Sequence, residues 1–268
     1  MCPRLFEIGS FALPTYGVLV ALGLLIGLTV AGRLAKRAGI DPNQITNLGV
    51  YVALSAIVGA KALLFLTRWD YYSADWGRLF SLSALQAGGV FYGGLLAALA
   101  TAYFYTKKHG IPWLRAADVL APAVAVGHAI GRLGCFAAGC CWGRPTDLPW
   151  GVTFTNPLAR EIVGTPLGIA LHPTQLYEAF GAAVIAWFLL RRFHRPHADG
   201  VILGWYLALY SSFRFAVEFF RDDAARPWLF GGFLSTTQWV AVALAIFGVW
   251  LLSRTQPAPT ARAAPAAR

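Results

Sequence analysis

The sequence has little charge. Of its 268 residues only 13% are Asp, Glu, Lys or Arg, against roughly 25% in a soluble domain. That is too little to coat a water-soluble globule of this size, which excludes an ordinary soluble enzyme. Acids are scarcer than bases, 12 against 22, leaving a formal net charge of +10. A basic leader is also missing. Only Arg4 precedes the first apolar stretch, Glu7 opposes it, and the positive cluster follows the stretch. A cleaved signal peptide is therefore not expected. No apolar region precedes Cys2, so it is not read as a lipidation site. The two-residue alternation of barrel strands is absent as well.

What is present in quantity is apolar: 57% of the chain. Seven continuous stretches stand out, at about 12–32, 46–67, 88–106, 116–137, 174–190, 201–220 and 233–253. Most reach the ~17–25 residues that cross a hydrocarbon layer. Glycines such as Gly23, Gly27 and Gly32 interrupt them. These weaken a soluble helix but let membrane helices approach closely. The expected fold class is an all-α integral membrane protein of seven transmembrane helices, with outer loops forming a small head. A membrane domain at 1–254 carries outer loops at about 68–87 and 138–173. An Ala/Pro/Arg tail at 255–268 reads as disordered.

The bases sort by side. Arg33, Lys36, Arg37, Lys107, Lys108, Arg115, Arg191, Arg192, Arg195, Arg254, Arg262 and Arg268 fall on one side, near Asp41, Asp118 and Asp199. On the other, Arg4, Arg68, Arg78, Arg144, Arg160, Arg221 and Arg226 are balanced by nearby acids. The positive-inside rule places the first group in the cytoplasm, with the N-terminus outside and the C-terminus inside. Topology thus accounts for the net charge, and no nucleic-acid partner is implied. Lys61, Arg132, Arg214, Glu178 and Glu218 are left inside predicted spans.

A buried Arg needs a counter-charge, a water cavity or an anionic ligand. Arg132 follows His128 by four residues, so the two share a helix face. Tyr210, Arg214 and Glu218 form a polar stripe at i, i+4 and i+8, and two inward arginines suit a phosphate clamp. His172, Gln175 and Glu178, at the start of the fifth span, line the mouth of a site or supply helix-start chemistry. Tyr16 and Tyr92 read as interface aromatics at the level of Arg132. Cys135, Cys140 and Cys141 leave three readings open: packing thiols, a disulfide from Cys135 to Cys140 or Cys141, or a metal site whose spacing departs from the paired Cys-x₂₋₄-Cys pattern.

Several segments resemble the prolipoprotein diacylglyceryl transferase family. They are Gly131-Arg132-Leu133-Gly134-x-Phe136, Gly139, Trp142-Gly143-Arg144-Pro145-Thr146-Asp147-Leu148-Pro149-Trp150-Gly151-Val152, His172-Pro173-Thr174-Gln175-Leu176-Tyr177-Glu178, and Tyr210-x₂-Phe213-Arg214-Phe215-x-Val217-Glu218-Phe219-Phe220-Arg221. Tyr16-Gly17 and Gly93-Gly94 also fit, and the likeness covers about residues 10–253. It implies a bacterial inner-membrane enzyme that moves the diacylglyceryl group of phosphatidylglycerol onto the lipobox cysteine of a prolipoprotein, the first step of lipoprotein maturation. Its partners are that lipid, the signal peptide and the surrounding membrane lipids. No cofactor and no metal are implied. Arg132 and Arg214 match the family's essential arginines, and Tyr16, Gly143, Tyr210, Glu218 and Gln238 match other important positions. The family usually has His at Tyr92, Asn at Cys135 and an acid at Cys140. With that His replaced, His128 and Tyr92 are both candidates for the base. An imidazole titrates nearer neutrality than a phenol, which favours His128. The alternatives are a non-catalytic phospholipid-binding or transporting protein, and a redox or metal protein using Cys135, Cys140 and Cys141.

Overall fold

The structure is a computed structural model describing residues 2–8, 11–73, 75, 77, 89–221, 228–229 and 234–254. The predicted tail and most of the predicted loop at 68–87 lie outside the described residues. Each apolar stretch is helical over most of its length. In chain order the helices are α1 (Thr15–Arg37), α2 (Pro42–Thr67), the short α3 (Trp69–Ser73), α4 (Phe91–Lys108), α5 (Trp113–Ala138), α6 (Pro157–Val163), α7 (Thr174–Phe193), α8 (Val201–Val217) and α9 (Thr236–Arg254). Three two-stranded antiparallel ribbons join them: β1 (Arg4–Ile8) with β2 (Phe11–Pro14), β3 (Val152–Thr153) with β4 (Ala170–Leu171), and β5 (Trp228–Leu229) with β6 (Leu234–Ser235).

Two predicted boundaries move for identifiable reasons. Residues 12–14, expected in the first span, are extended because β2 pairs with β1, in the register Phe6 to Leu13 and Glu7 to Ala12. The sixth stretch was expected to run to residue 220, but α8 stops at Val217 and a 3₁₀ turn, Glu218–Phe220, completes it.

Among the described residues, α1, α2, α5 and α9 are long and apolar enough to cross a membrane. The other long helices fall short for separate reasons. α8 has 17 residues, α4 carries glycines, tyrosines and Lys107-Lys108, and α7 begins with Gln175 and Glu178 and ends with Arg191-Arg192. Large apolar side chains nevertheless cover the helix exteriors, as at Leu25 (63% exposed), Val58 (68%), Phe180 (74%) and Ile246 (65%). Apolar surface on that scale suits lipid, not water.

The chain forms two compact units, one of Met1–Val30 and Ala117–Arg268, the other of Ala31–Ala116. In the second, α2 packs on α4 backbone to backbone. A Cβ on Gly59 or Gly93 would overlap the facing helix, and Val90 N donates to Ala60 O at 3.0 Å. In the first, a Cβ on Gly248 of α9 would come within 2.8 Å of Gly204 O on α8. This is the small-residue contact expected where lipid supplies no hydrophobic drive between helices.

Helix ends are set by caps. Asp41 accepts from Asn43 N at 2.9 Å ahead of Pro42 in α2, and Asn156 accepts from Leu158 N at 3.0 Å ahead of Pro157 in α6. Asp118, read from the sequence as an acid beside the basic cluster, takes a capping position. It is 2% exposed and reaches from α5 to Gly200 N (2.7 Å) and Leu203 N (2.8 Å), capping α8. A carboxylate there satisfies orphan amides and complements the positive helix end.

Candidate active site

The polar residues of the first unit converge on Glu178. It lies in the second turn of α7 and is 0% exposed. Its Oε2 meets Arg132 Nη2 of α5 at 2.5 Å and His128 Nε2 at 3.6 Å, and its Oε1 accepts from Arg221 Nη1 at 3.1 Å. Arg132 Nε lies 3.5 Å from His128 Nε2, the contact expected of residues four apart on one helix. Glu178 is therefore the hub of an ion network.

A second ion pair continues along α8. Arg214 Nη1 lies 2.6 Å from Glu218 Oε2. Glu218 Oε1 accepts from Ser235 Oγ at 2.8 Å. Ser235 and Gln238 form a capping box at the start of α9: Gln238 N donates to Ser235 Oγ at 3.2 Å and Ser235 N donates to Gln238 Oε1 at 3.0 Å. Gln238, matched above to an important family position, thus holds the serine that holds Glu218. The guanidiniums of Arg132, Arg214 and Arg221 all act on the charge of Glu178. Among the described residues, these ion pairs gather three guanidiniums around two carboxylates, a set of donors that suits an anionic group.

The other expected residues fall as follows. Tyr210 sets its ring edge-on to His128 at 5.3 Å and stacks on Tyr206 at 5.6 Å. Tyr16 opens α1 and packs against Gly134 of α5, where an added Cβ would lie 3.3 Å from its ring. Gln175 is fully buried. Its Nε2 donates to Cys140 O at 2.7 Å, and its Oε1 has no hydrogen-bond partner. Tyr92 belongs to the other unit, near the start of α4, half-exposed and edge-on to Phe91.

The loop at 138–173 is a built structure. Gly143 N donates to His172 O (2.9 Å), His172 N to Arg144 O (2.9 Å), Arg144 N to Phe220 O (2.9 Å) and Arg144 Nε to Arg221 O (3.1 Å). Thr174 Oγ1 donates to Cys141 O at 2.7 Å, and Trp150 Nε1 to Tyr177 OH at 2.9 Å. Gly143 is needed because the space for a side chain is filled. A Cβ would overlap Phe220 O and come within 2.7 Å of His172 Cβ and 2.8 Å of Thr174 Cγ2. Gly143→Ala should lower stability by about 1–3 kcal/mol through overpacking. The check is the apparent melting temperature of the purified chain in detergent, with Gly131→Ala, a helical position where an added Cβ meets nothing within 4 Å, as the unclashed comparison.

Two participants were missed by the sequence reading. Arg221 was counted among balanced outer charges, yet it is 7% exposed and bound to Glu178. A signal existed, since 210, 214, 218 and 221 continue one helical stripe. Ser235 was not singled out, although Ser235-x-x-Gln238 spells a capping box. The thiols of Cys135, Cys140 and Cys141 are free and mutually within 4.8 Å, so the packing and metal readings remain and no disulfide joins them. Hydrogen bonds from Cys135 and Cys140, assisted by the fields of Arg221 and Arg132, pull the Cys141 thiol below its ordinary value.

A family described as prolipoprotein diacylglyceryl transferase matches residues 3–254. Among curated proteins, the phosphatidylglycerol–prolipoprotein diacylglyceryl transferase of Finegoldia magna is 37% identical over 248 residues, covering 92% of each chain. The protein of the same name from Clostridium tetani is 33% identical over 258 residues, 94% of this chain and 97% of its own. That from Vibrio cholerae is 34% identical over 256 residues, 93% and 90% respectively.

Proposed function

The chain belongs to the prolipoprotein diacylglyceryl transferase family, and on that premise we propose that it transfers the diacylglyceryl group of phosphatidylglycerol to the lipobox cysteine of prolipoproteins. The observation that carries this reading is the buried network of Arg132, Arg214 and Arg221 around two carboxylates, within helices whose exteriors are apolar. A headgroup phosphate at lipid depth needs such a site, because an uncompensated charge there is costly.

In the reaction the cysteine sulfur attacks the glycerol carbon that bears the phosphate ester. A C–S bond forms, the C–O bond breaks, and glycerol phosphate leaves. Charge grows on the departing phosphate, so arginines aimed at it lower the barrier. Arg132 and Arg214 form the clamp. Glu178 orients Arg132, and Glu218 orients Arg214 through the Ser235–Gln238 capping box. Tyr16, Tyr210 and Gln175 line the substrate path, and Gly143 lets the outer loop close on α7. His128, beside Arg132 and against Tyr210, takes the thiol proton. The chain crosses the bacterial inner membrane seven times as one domain over residues 1–254, N-terminus outside and C-terminus in the cytoplasm. The loop at 138–173 faces the periplasm.

The test uses purified protein, labelled phosphatidylglycerol and a lipobox peptide. His128→Ala should slow transfer by about 10²–10⁴-fold, and Tyr92→Phe should stay near wild type. The reverse pattern would move the base to Tyr92. If neither change slowed transfer, the arginine field alone would suffice. Lipid binding without release of glycerol phosphate would make the chain a lipid-binding protein instead. In cells depleted of the transferase, the wild-type chain should restore growth and Arg132→Ala should not.

A further inference from the structure

Outside the arginine network, the densest group of reactive side chains is Cys135, Cys140 and Cys141. All three Sγ atoms lie within 4.8 Å of one another. Sequence spacing does not suggest this meeting, and the backbone explains it. α5 ends just after Cys135. Gly139 (φ 80°) then turns the chain, so that Cys140 N donates back to Cys135 O at 3.1 Å. Cys141 adopts a left-handed φ of 63°, unusual for a residue with a side chain. Thr174 and Gln175 lock the turn by donating to the carbonyls of Cys141 and Cys140 at 2.7 Å each. The three thiols are therefore positioned by a hydrogen-bonded frame from α7, on a segment whose Cys140 and Cys141 are part-exposed.

We propose that Cys135, Cys140 and Cys141 form a trigonal site for a soft thiophilic d¹⁰ cation, with monovalent copper the best fit. Thiolates select such ions, whereas Zn²⁺ favours four ligands, and the described residues offer three. Metal–sulfur bonds of about 2.3 Å place three sulfurs about 4 Å apart, a small contraction from the present spacing. Each thiol that ligates gives up its proton to solvent. The resulting anionic centre has a counter-charge at hand, since Arg132 Nη1 lies 3.9 Å from Cys135 Sγ. The cation enters without any change of oxidation state.

The experiment is anaerobic titration of the full-length, reduced chain in detergent with Cu(I) against a competing chelator, followed by alkylation and mass spectrometry. One Cu(I) per chain should bind and shield all three clustered thiols, leaving the exposed Cys2 to react. Cys135→Ser, Cys140→Ser and Cys141→Ser should each weaken binding by about 100-fold or more, and Cys2→Ser should leave it unchanged. The alkylation pattern of the wild-type chain decides the matter even if a variant misfolds. Shielding of none, or of only one or two, of the three thiols overturns the proposal, as does equal binding by the serine variants. Recovery of the wild type with two of the three already joined as a disulfide, when purified without reductant, also overturns it and makes the cluster a redox pair.

Discussion

Glu178→Ala should be the most damaging single change in the first unit. Glu178 is 0% exposed and meets Arg132 at 2.5 Å and Arg221 at 3.1 Å. Its removal takes this carboxylate from part-buried Arg132 and buried Arg221, whose side chains are 18% and 6% exposed. Breaking a buried pair by deleting one partner costs about 3–5 kcal/mol, and that is a large share of a typical folding free energy. The loss should appear as a drop of roughly 10 °C in the apparent melting temperature, at about 2–4 °C per kcal/mol for a chain of this size. Glu178→Gln keeps the shape but cannot neutralise two cations, so it should fail nearly as badly, and Glu178→Asp should recover part of the loss. A Glu178→Ala protein that melts within a degree or two of wild type would show that the network contributes nothing to the fold.

Arg214→Ala should act on chemistry as well as on folding, because it also takes the cation from buried Glu218. Arg214 is 9% exposed and pairs with Glu218, which Ser235 holds from the other side. If Arg214 faces the leaving phosphate, losing it removes a charge-assisted donor where charge develops. Donors in such positions are worth on the order of 10²–10³ in kcat. Arg214→Lys keeps the charge but loses the planar fork that matches phosphate oxygens, so roughly a tenfold loss should remain. The measurement is single-turnover release of labelled glycerol phosphate at saturating lipid. Equal losses in binding and rate would make Arg214 a headgroup anchor. A wild-type rate in Arg214→Ala would remove it from the clamp.

What sequence made legible follows from the range of each interaction. His128 with Arg132 and Arg214 with Glu218 sit four apart, so their pairing is written in helical periodicity. Arg221 was misread because it ends an apolar run beside Asp222 and Asp223, the usual mark of an outer anchor. The 3₁₀ turn at Glu218–Phe220 and the distant Glu178 bring it inside. The capping role of Asp118 is illegible for a similar reason, since the amides it caps are 82 and 85 residues away. The cysteine trio is legible as a cluster, but its geometry is not, since a left-handed Cys141 lies outside spacing rules built on ordinary turns. Helix existence was the safest inference because continuous apolarity records the solvent directly. Helix ends were weaker, since β1 claims the residues just before Thr15 through pairing that no propensity reveals.

The stitching of the outer loop has a consequence for how this chain can vary in length. Gly143 and Arg144 are fastened to His172, Phe220 and Arg221, and Thr146 N is fastened to Ala170 O at 3.0 Å. One added or deleted residue within 139–146 or 170–178 would shift register against these anchors and carry Glu178 or Arg221 off its partner. Between those anchors, Thr165 is fully buried and donates to Gly139 O at 2.9 Å, and Gly168 N donates to Phe154 O at 3.0 Å, whereas Gly164, which caps α6 with φ 73°, would meet nothing within 4 Å of an added Cβ. Length changes accumulate where the backbone has no distant partner to miss. The loop is therefore of fixed length around its hydrogen-bonded anchors, and the backbone beside Gly164 is where an inserted residue would disturb the least.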